Sequence, residues 1–208
     1  MIKNSDYNQN WQENRIKLIL SLYDESFFNG KKILELGAFN GDIGNYFSEL
    51  GSDVTCVEGL YDNYEIMCKK YPHIKSRHCD LDCKDWDFGK FDIIINFGLF
   101  YHLEKNHNIH LKNCLDNCNL LFFESVVLDS NDSKIHFREE SGIDQSLSNV
   151  GGTPTSKYVE NIFLESDSNF KRYDENVLDS NPHVYSWVEE NSEIFDGYKR
   201  RFWVVNKK

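Results

Sequence analysis

The chain has 208 residues, a formal net charge of −11, and 40% hydrophobic and 14% aromatic content. That length suits one domain over residues 1–208 with a buried core, and the composition excludes a disordered chain. No apolar run approaches the ~20 residues that span a bilayer, residues 1–15 lack a signal-peptide core, and an acidic surface repels phosphate backbones, so the expectation is a cytoplasmic protein, monomer or homodimer, acting on a small molecule rather than on membrane or nucleic acid.

Residues 1–30 form an N-terminal segment in which 11–25 (WQENRIKLILSLYDE) reads as an amphipathic helix. KKILELG at 31–37 is a short apolar strand ending in glycine. GDIGNYFSELG at 41–51 sets Ile43, Tyr46, Phe47 and Leu50 at helical spacing, with Gly51 as a C-terminal cap. VTCVEG at 54–59 is a second strand, and 61–71 a helix stopped before Pro72. IKSRHCD at 74–80 is a weaker strand. FDIIINFG at 91–98 has the unbroken apolar run of a buried parallel strand. Residues 103–117 read as a helix and 119–128 as a fifth strand. The polar segment 129–153, with Gly142, Gly151 and Gly152, reads as a lid or acceptor loop. TPTSKYVENIFLES follows as a helix with Pro154 in its first turn. KRRFWVVN at 199–206 is a final strand. Alternation of strand and helix implies a doubly wound α/β sheet with ligands at the carboxyl ends of its strands.

The six cysteines form no C-x-x-C pair, which favours free thiols in a reducing compartment over a zinc site. The basic runs Lys69-Lys70 and Lys199-Arg200-Arg201 are short and read as solvated surface or local anion contacts.

The chemistry concentrates at three strand ends. In ILELGAFNGDIG, Gly37 allows a tight turn after the first strand and Gly41 a close helix start. Phe39 stands where the dinucleotide fingerprint needs glycine, which opposes a nicotinamide-dependent oxidoreductase. Glu58, followed by Gly59, closes the second strand where a carboxylate can accept both hydroxyls of a ribose.

Glu35-x-Gly37-x-x-x-Gly41 resembles the first motif of class I S-adenosylmethionine (SAM)-dependent methyltransferases. The segment Gly98-Leu99-Phe-Tyr101-His102-Leu103 is similar to one found in small stand-alone methyltransferases of sugars and metabolites, and in tRNA wobble-uridine carboxymethyltransferases. The resemblance spans residues 30–130 and speaks to fold and cofactor more than to substrate. It implies a mostly parallel, seven-stranded Rossmann-like sheet whose last strand is antiparallel, with SAM as cofactor and S-adenosylhomocysteine (SAH) as product. By resemblance Glu35, Gly37, Ala38 and Gly41 line the amino-acid part of SAM. Glu58 and Gly59 meet the ribose. Asp80, or its competitor Asp82, faces the adenine amino group with Leu81 packing nearby. Asn96 and Phe97 end the fourth strand at the sulfonium, and Tyr101 contacts the methionine carboxylate or packs.

An alcohol acceptor needs a base. His102 is the first candidate, histidine being the residue type that ordinarily titrates near neutrality, against a histidine bonded to backbone at a helix start, and Glu124 is the second. His102, His107 and His110, with Asp129 or Asp132, lack a recognised metal spacing, so a divalent cation stays open without being predicted. Acceptor contacts are sought among Trp11, Arg15, His136, Arg138, Gln145, Tyr185 and Trp187. The reading is transfer of a methyl group to a hydroxyl of a sugar or other small polar metabolite. A tRNA methyl or carboxymethyl transferase and a non-catalytic SAM-binding protein are the alternatives.

Overall fold

The computed structural model describes residues 6–85, 87–141 and 145–208. The helix α1 (Asp6–Leu22) is followed by β1 (Lys32–Leu36), α2 (Asp42–Glu49), β2 (Asp53–Glu58), α3 (Tyr61–Lys70), β3 (Lys75–His78) and β4 (Ile93–Phe97). Then come α4 (His107–Asp116), β5 (Leu120–Val126), β6 (Ile135–Glu139), β7 (Val150–Pro154), α5 (Ser156–Glu165), β8 (Ser168–Tyr173) and β9 (Arg200–Lys207). Seven strands form one sheet in the order β3-β2-β1-β4-β5-β9-β8. The first five in that order pair in parallel, while β9 runs antiparallel to both β5 and β8, so six strands share one direction.

Helices cover both faces because the central strands are apolar on both sides. Phe122 and Phe202 join one cluster with Leu18 of α1, Phe47 of α2 and Met67 of α3. Phe123 and Trp203, one residue on, join the other with Leu111 of α4 and Phe163 of α5. The period-two alternation of strand side chains divides the core into these two layers.

Several local expectations shift. α1 begins at Asp6 and ends at Leu22, and Asp24 caps a short 3-10 turn at Glu25–Phe28. The helix expected from residue 103 starts at His107, after a 3-10 turn at Phe100–His102. The intervening N–H groups of Glu104, Lys105 and Asn106 donate to the Asp82 carboxylate. Pro154 ends β7 rather than opening a helix; Thr155 is the N-cap, its hydroxyl accepting from the Tyr158 N–H at 3.1 Å. The segment 129–153 carries the antiparallel ribbon β6–β7; its Gly142 lies outside the described residues. β8 has no clear alternation to announce it, since only its ends, Ser168 and Tyr173, are buried. Arg200 and Arg201, read as solvated surface or local anion contacts, are 5% and 1% exposed and pair with Glu124 and Asp174.

Candidate active site

The carboxyl ends of β1, β2 and β4 open into a cavity of about 500 Å³. Its floor is the turn after β1. Gly37 takes a φ of 70°, reserved for residues without a Cβ, and the N–H groups of Gly37 and Ala38 both donate to the Val57 carbonyl, at 2.9 and 3.0 Å. The next N–H, of Phe39, donates to Glu58 Oε2 at 2.7 Å, and that of Leu60 to Oε1 at 2.8 Å. Glu58 thus braces two loops.

Glu35 also lines the cavity. Burial pushes its carboxyl up to about 8, and the Cys56 thiol donates to it at 3.3 Å. Gly44 makes room for this pair: a Cβ there would lie 2.7 Å from Glu35 Oε2 and closer still to the Cys56 sulfur.

Gly59, Asp80, Leu81 and Phe97 complete the β2–β3–β4 side of the wall. Asp80 is exposed, and its carboxylate accepts from the Asp82 N–H within its own turn, whereas Asp82 is taken up by the backbone before α4. That division leaves Asp80 the freer carboxylate.

Three expected residues do not line the cavity. Gly41 starts α2 with a φ of 79° and packs on Met67, where a Cβ would come within 2.8 Å of Cγ. Asn96 is fully buried, its side-chain amide 2.8 Å from His110 Nε2. Burial lowers His110 to about 4, so the neutral ring donates through Nδ1 to the Leu81 carbonyl and accepts from Asn96. Glu124, expected as a second base, is fully buried and fully engaged. It accepts from the Gly98 N–H at 2.9 Å, the Tyr185 hydroxyl at 2.8 Å and Arg200 at 2.9 Å, with Arg15 at 3.6 Å.

His102 also lines the cavity, 17% exposed. Its Nδ1 lies 2.6 Å from Glu140 Oε2, and Glu140 is fully buried. Burial pushes the Glu140 carboxyl up, but the His102 contact, the Ser146 N–H and Arg138 outweigh it and hold the group below the usual carboxylate range. The carboxylate on Nδ1 orients the ring and, in the neutral imidazole, selects the tautomer whose Nε2 accepts a proton. Glu140 follows directly on β6, in the segment read from sequence as a loop. The backbone of Gly151 on β7 makes the approach feasible, since a Cβ there would collide with the carboxyl.

Of the acceptor candidates, Trp11 and Gln145 line the cavity. Arg15 and Tyr185 stand behind it on Glu124, and Arg138 backs Glu140. His136 is exposed against Phe195, and Trp187 packs under Arg201. Ser146 and Leu147, from the segment read as an acceptor loop, and His183 line the wall as well, and so does Arg200, which was not anticipated there.

His107 is tied to the Gly152 carbonyl at 2.9 Å, and Asp129 accepts from Asn191, Ser192 and Lys199. Among the described residues no three His, Cys, Asp or Glu side chains form a group that could hold a metal ion. Among them, too, no helix is long and apolar enough to cross a membrane.

No family model matches the chain, and no curated protein does. Solved structures do resemble it. The N-terminal domain of EvdMO1, crystallised in the presence of SAH and D-fucose, superposes with a TM-score of 0.68 at 17% identity, covering 98% of this chain and 84% of that one. A SAM-dependent methyltransferase from Mesorhizobium loti gives 0.67 at 13% identity, over 93% and 98%. Magnesium protoporphyrin IX methyltransferase from Synechocystis, with SAM bound, gives 0.64 at 9%, over 98% and 82%. The chain therefore has the fold of the class I SAM-dependent methyltransferases.

Proposed function

We propose that this protein is a SAM-dependent methyltransferase acting on a hydroxyl of a small polar acceptor, a sugar or a related metabolite. The observation that carries the reading is the His102–Glu140 pair on the wall of a cavity that Glu58 and Asp80 also line. The cavity falls within the volume range of small-molecule sites and mixes apolar walls with a few polar groups.

The residues present fit the cofactor. Glu58 puts a carboxylate on the wall where the ribose hydroxyls would lie, Asp80 can take an adenine amino group, and Leu81 and Phe97 offer apolar faces. Gly37 and Ala38 floor the space for the amino-acid part, with Glu35 beneath. When bound, SAM supplies an electrophilic methyl carbon.

His102 Nε2 then takes the proton of the acceptor hydroxyl, and the resulting imidazolium is held by Glu140. Glu124 has no room for that task and instead fixes Gly98 and Arg200 at the edge of the acceptor space. Residues 145–148, with Trp11 of α1, shield the space from water.

The test is a screen for SAH release across sugars, nucleotide sugars, hydroxylated metabolites and tRNA, with and without magnesium, alongside calorimetric titration with SAM, SAH and NAD. Saturable SAM binding and turnover with a small hydroxylated acceptor are expected. Binding of NAD in place of SAM would overturn the reading.

A further inference from the structure

The turn Ser146–Asn149 carries a single apolar side chain, and that side chain meets the end of β2. Leu147 is 50% exposed and lines the cavity. It lies on Gly59, where a Cβ would come within 3.2 Å of Leu147 Cδ1 and 3.8 Å of its Cγ. Gly59 directly follows Glu58, which lines the same wall. A lone exposed leucine on an open surface needs no explanation. This one stands in a cavity, and its uncovered flank is apolar area that a ligand seated before Glu58 removes from water.

The preceding residue holds the partner of the base. The Ser146 N–H donates to Glu140 Oε2 at 2.9 Å, the same oxygen that lies 2.6 Å from His102 Nδ1. The turn that bears both contacts is braced from within. The Asn149 N–H donates to the Ser146 carbonyl at 3.2 Å, the Glu140 N–H to the Asn149 carbonyl at 2.9 Å, and the Ser148 hydroxyl to the Val150 carbonyl at 3.2 Å. Asn149 takes a φ of 61°, a left-handed value that asparagine tolerates. Such a turn moves as a unit. Pressure on Leu147 therefore reaches the Ser146 N–H, one peptide unit away, and with it the oxygen that orients His102.

We propose that Leu147 is both a cofactor contact and a positioning residue: it covers the nucleoside of the cofactor at Gly59 and, through the Ser146 N–H, lets cofactor occupancy set Glu140 against His102. The inference rests on the methyltransferase reading. Position favours the nucleoside over the methyl acceptor as the group beneath Leu147. The Cβ site at Gly59 that Leu147 meets is also 3.5 Å from the Cys79 carbonyl oxygen, so the leucine stands where the chain leaves β2 and β3, beside Glu58 and Asp80. The acceptor hydroxyl has to reach His102, which follows β4. One turn thus has an apolar contact on the cofactor side and a polar contact on the side of the base. SAM bound at the first completes the orientation of the second, and the proton acceptor is fully aligned only when a methyl group is present to be transferred.

The test uses SAH as the only added ligand. Calorimetry gives its dissociation constant, and nitrogen-15 NMR follows the His102 imidazole, assigned by the loss of its signals in His102→Ala. In the parent protein SAH produces a saturable shift of the His102 Nδ1 signal. Leu147→Ala weakens SAH about fourfold to fifteenfold, the scale of one or two CH₂ groups taken out of apolar contact, and abolishes the shift even at saturating SAH. Leu147→Met, which keeps the apolar reach, restores both. A His102 signal that SAH leaves unmoved in the parent overturns the inference, and that measurement needs no variant to fold. An equal shift in the parent and in Leu147→Ala also overturns it, by showing that the cofactor acts on His102 directly. So does an unchanged dissociation constant in Leu147→Ala. Failure of SAH to bind the parent would end the methyltransferase reading instead, and calorimetry detects that separately.

Discussion

His102 and Glu140 are 38 residues apart in the chain, and their side chains meet at 2.6 Å between Nδ1 and Oε2. If that contact sets the tautomer of a base, the two residues differ in a measurable way. His102→Ala lowers kcat by about 10²–10⁴-fold, the usual scale for a lost proton acceptor. Glu140→Gln keeps size and one hydrogen bond but removes the charge, and lowers kcat by about tenfold to a hundredfold. Both leave the SAH dissociation constant within about twofold of the parent by calorimetry. A matching loss of SAH affinity would mean that the pair supports the fold rather than the reaction.

Gly151→Ala tests the same geometry from the neighbouring strand. The added methyl group meets the Glu140 carboxyl and comes within 2.7 Å of the Tyr101 carbonyl oxygen. Glu140 must retreat, so kcat falls as in Glu140→Gln and thermal stability drops by about 1–3 kcal/mol, the cost of overpacking. Unchanged kinetics would separate Glu140 from the reaction.

Glu58→Gln retains the shape of the side chain but trades one acceptor oxygen for an N–H₂ facing backbone N–H donors. The expected outcome is at least a tenfold weaker SAH complex, measured calorimetrically, with the loop after β1 loosened in hydrogen exchange.

Glu35 makes stability depend on pH. Its folded value of about 8 lies above the ordinary 4.5 because burial disfavours the charged form. The stabilising contribution of its proton is therefore complete below pH 4.5 and is lost as pH rises through about 8. Relative to Glu35→Gln, the parent should lose roughly 1.4 kcal/mol per pH unit between those limits, read from denaturant unfolding without ligand. A constant difference between the two proteins across that range would refute the buried neutral carboxyl.

The strands β1 to β5 and the turn that floors the cavity were legible in sequence because they rest on local signals. The unbroken apolar runs of β4 and β5 and the glycine after β1 are each confined to a few residues. Glu58 and His102 could be singled out for the same reason. Glu140 could not: its role depends on pairing of β6 with β7, which brings Gly151 alongside, and no local pattern announces that register. Arg200 was equally hidden, since a run of three basic residues reads as surface until Glu124 of the adjacent strand is known to face it. Asn96 and Gly41 sit where their sequence positions suggest, and what sequence does not supply is the direction each faces, toward His110 and Met67 rather than the cavity.

The place of β9 has a consequence for how the molecule is made. Its residues, Arg200–Lys207, are the last of the sheet to be synthesised, yet they lie between β5 and β8. On the ribosome, β8 lacks the strand it pairs with, and Glu124 stays unanswered by Arg200, until those residues emerge. The β5–β9–β8 side of the sheet therefore closes only after translation has passed this strand, while β1 to β5 can already assemble ahead of it.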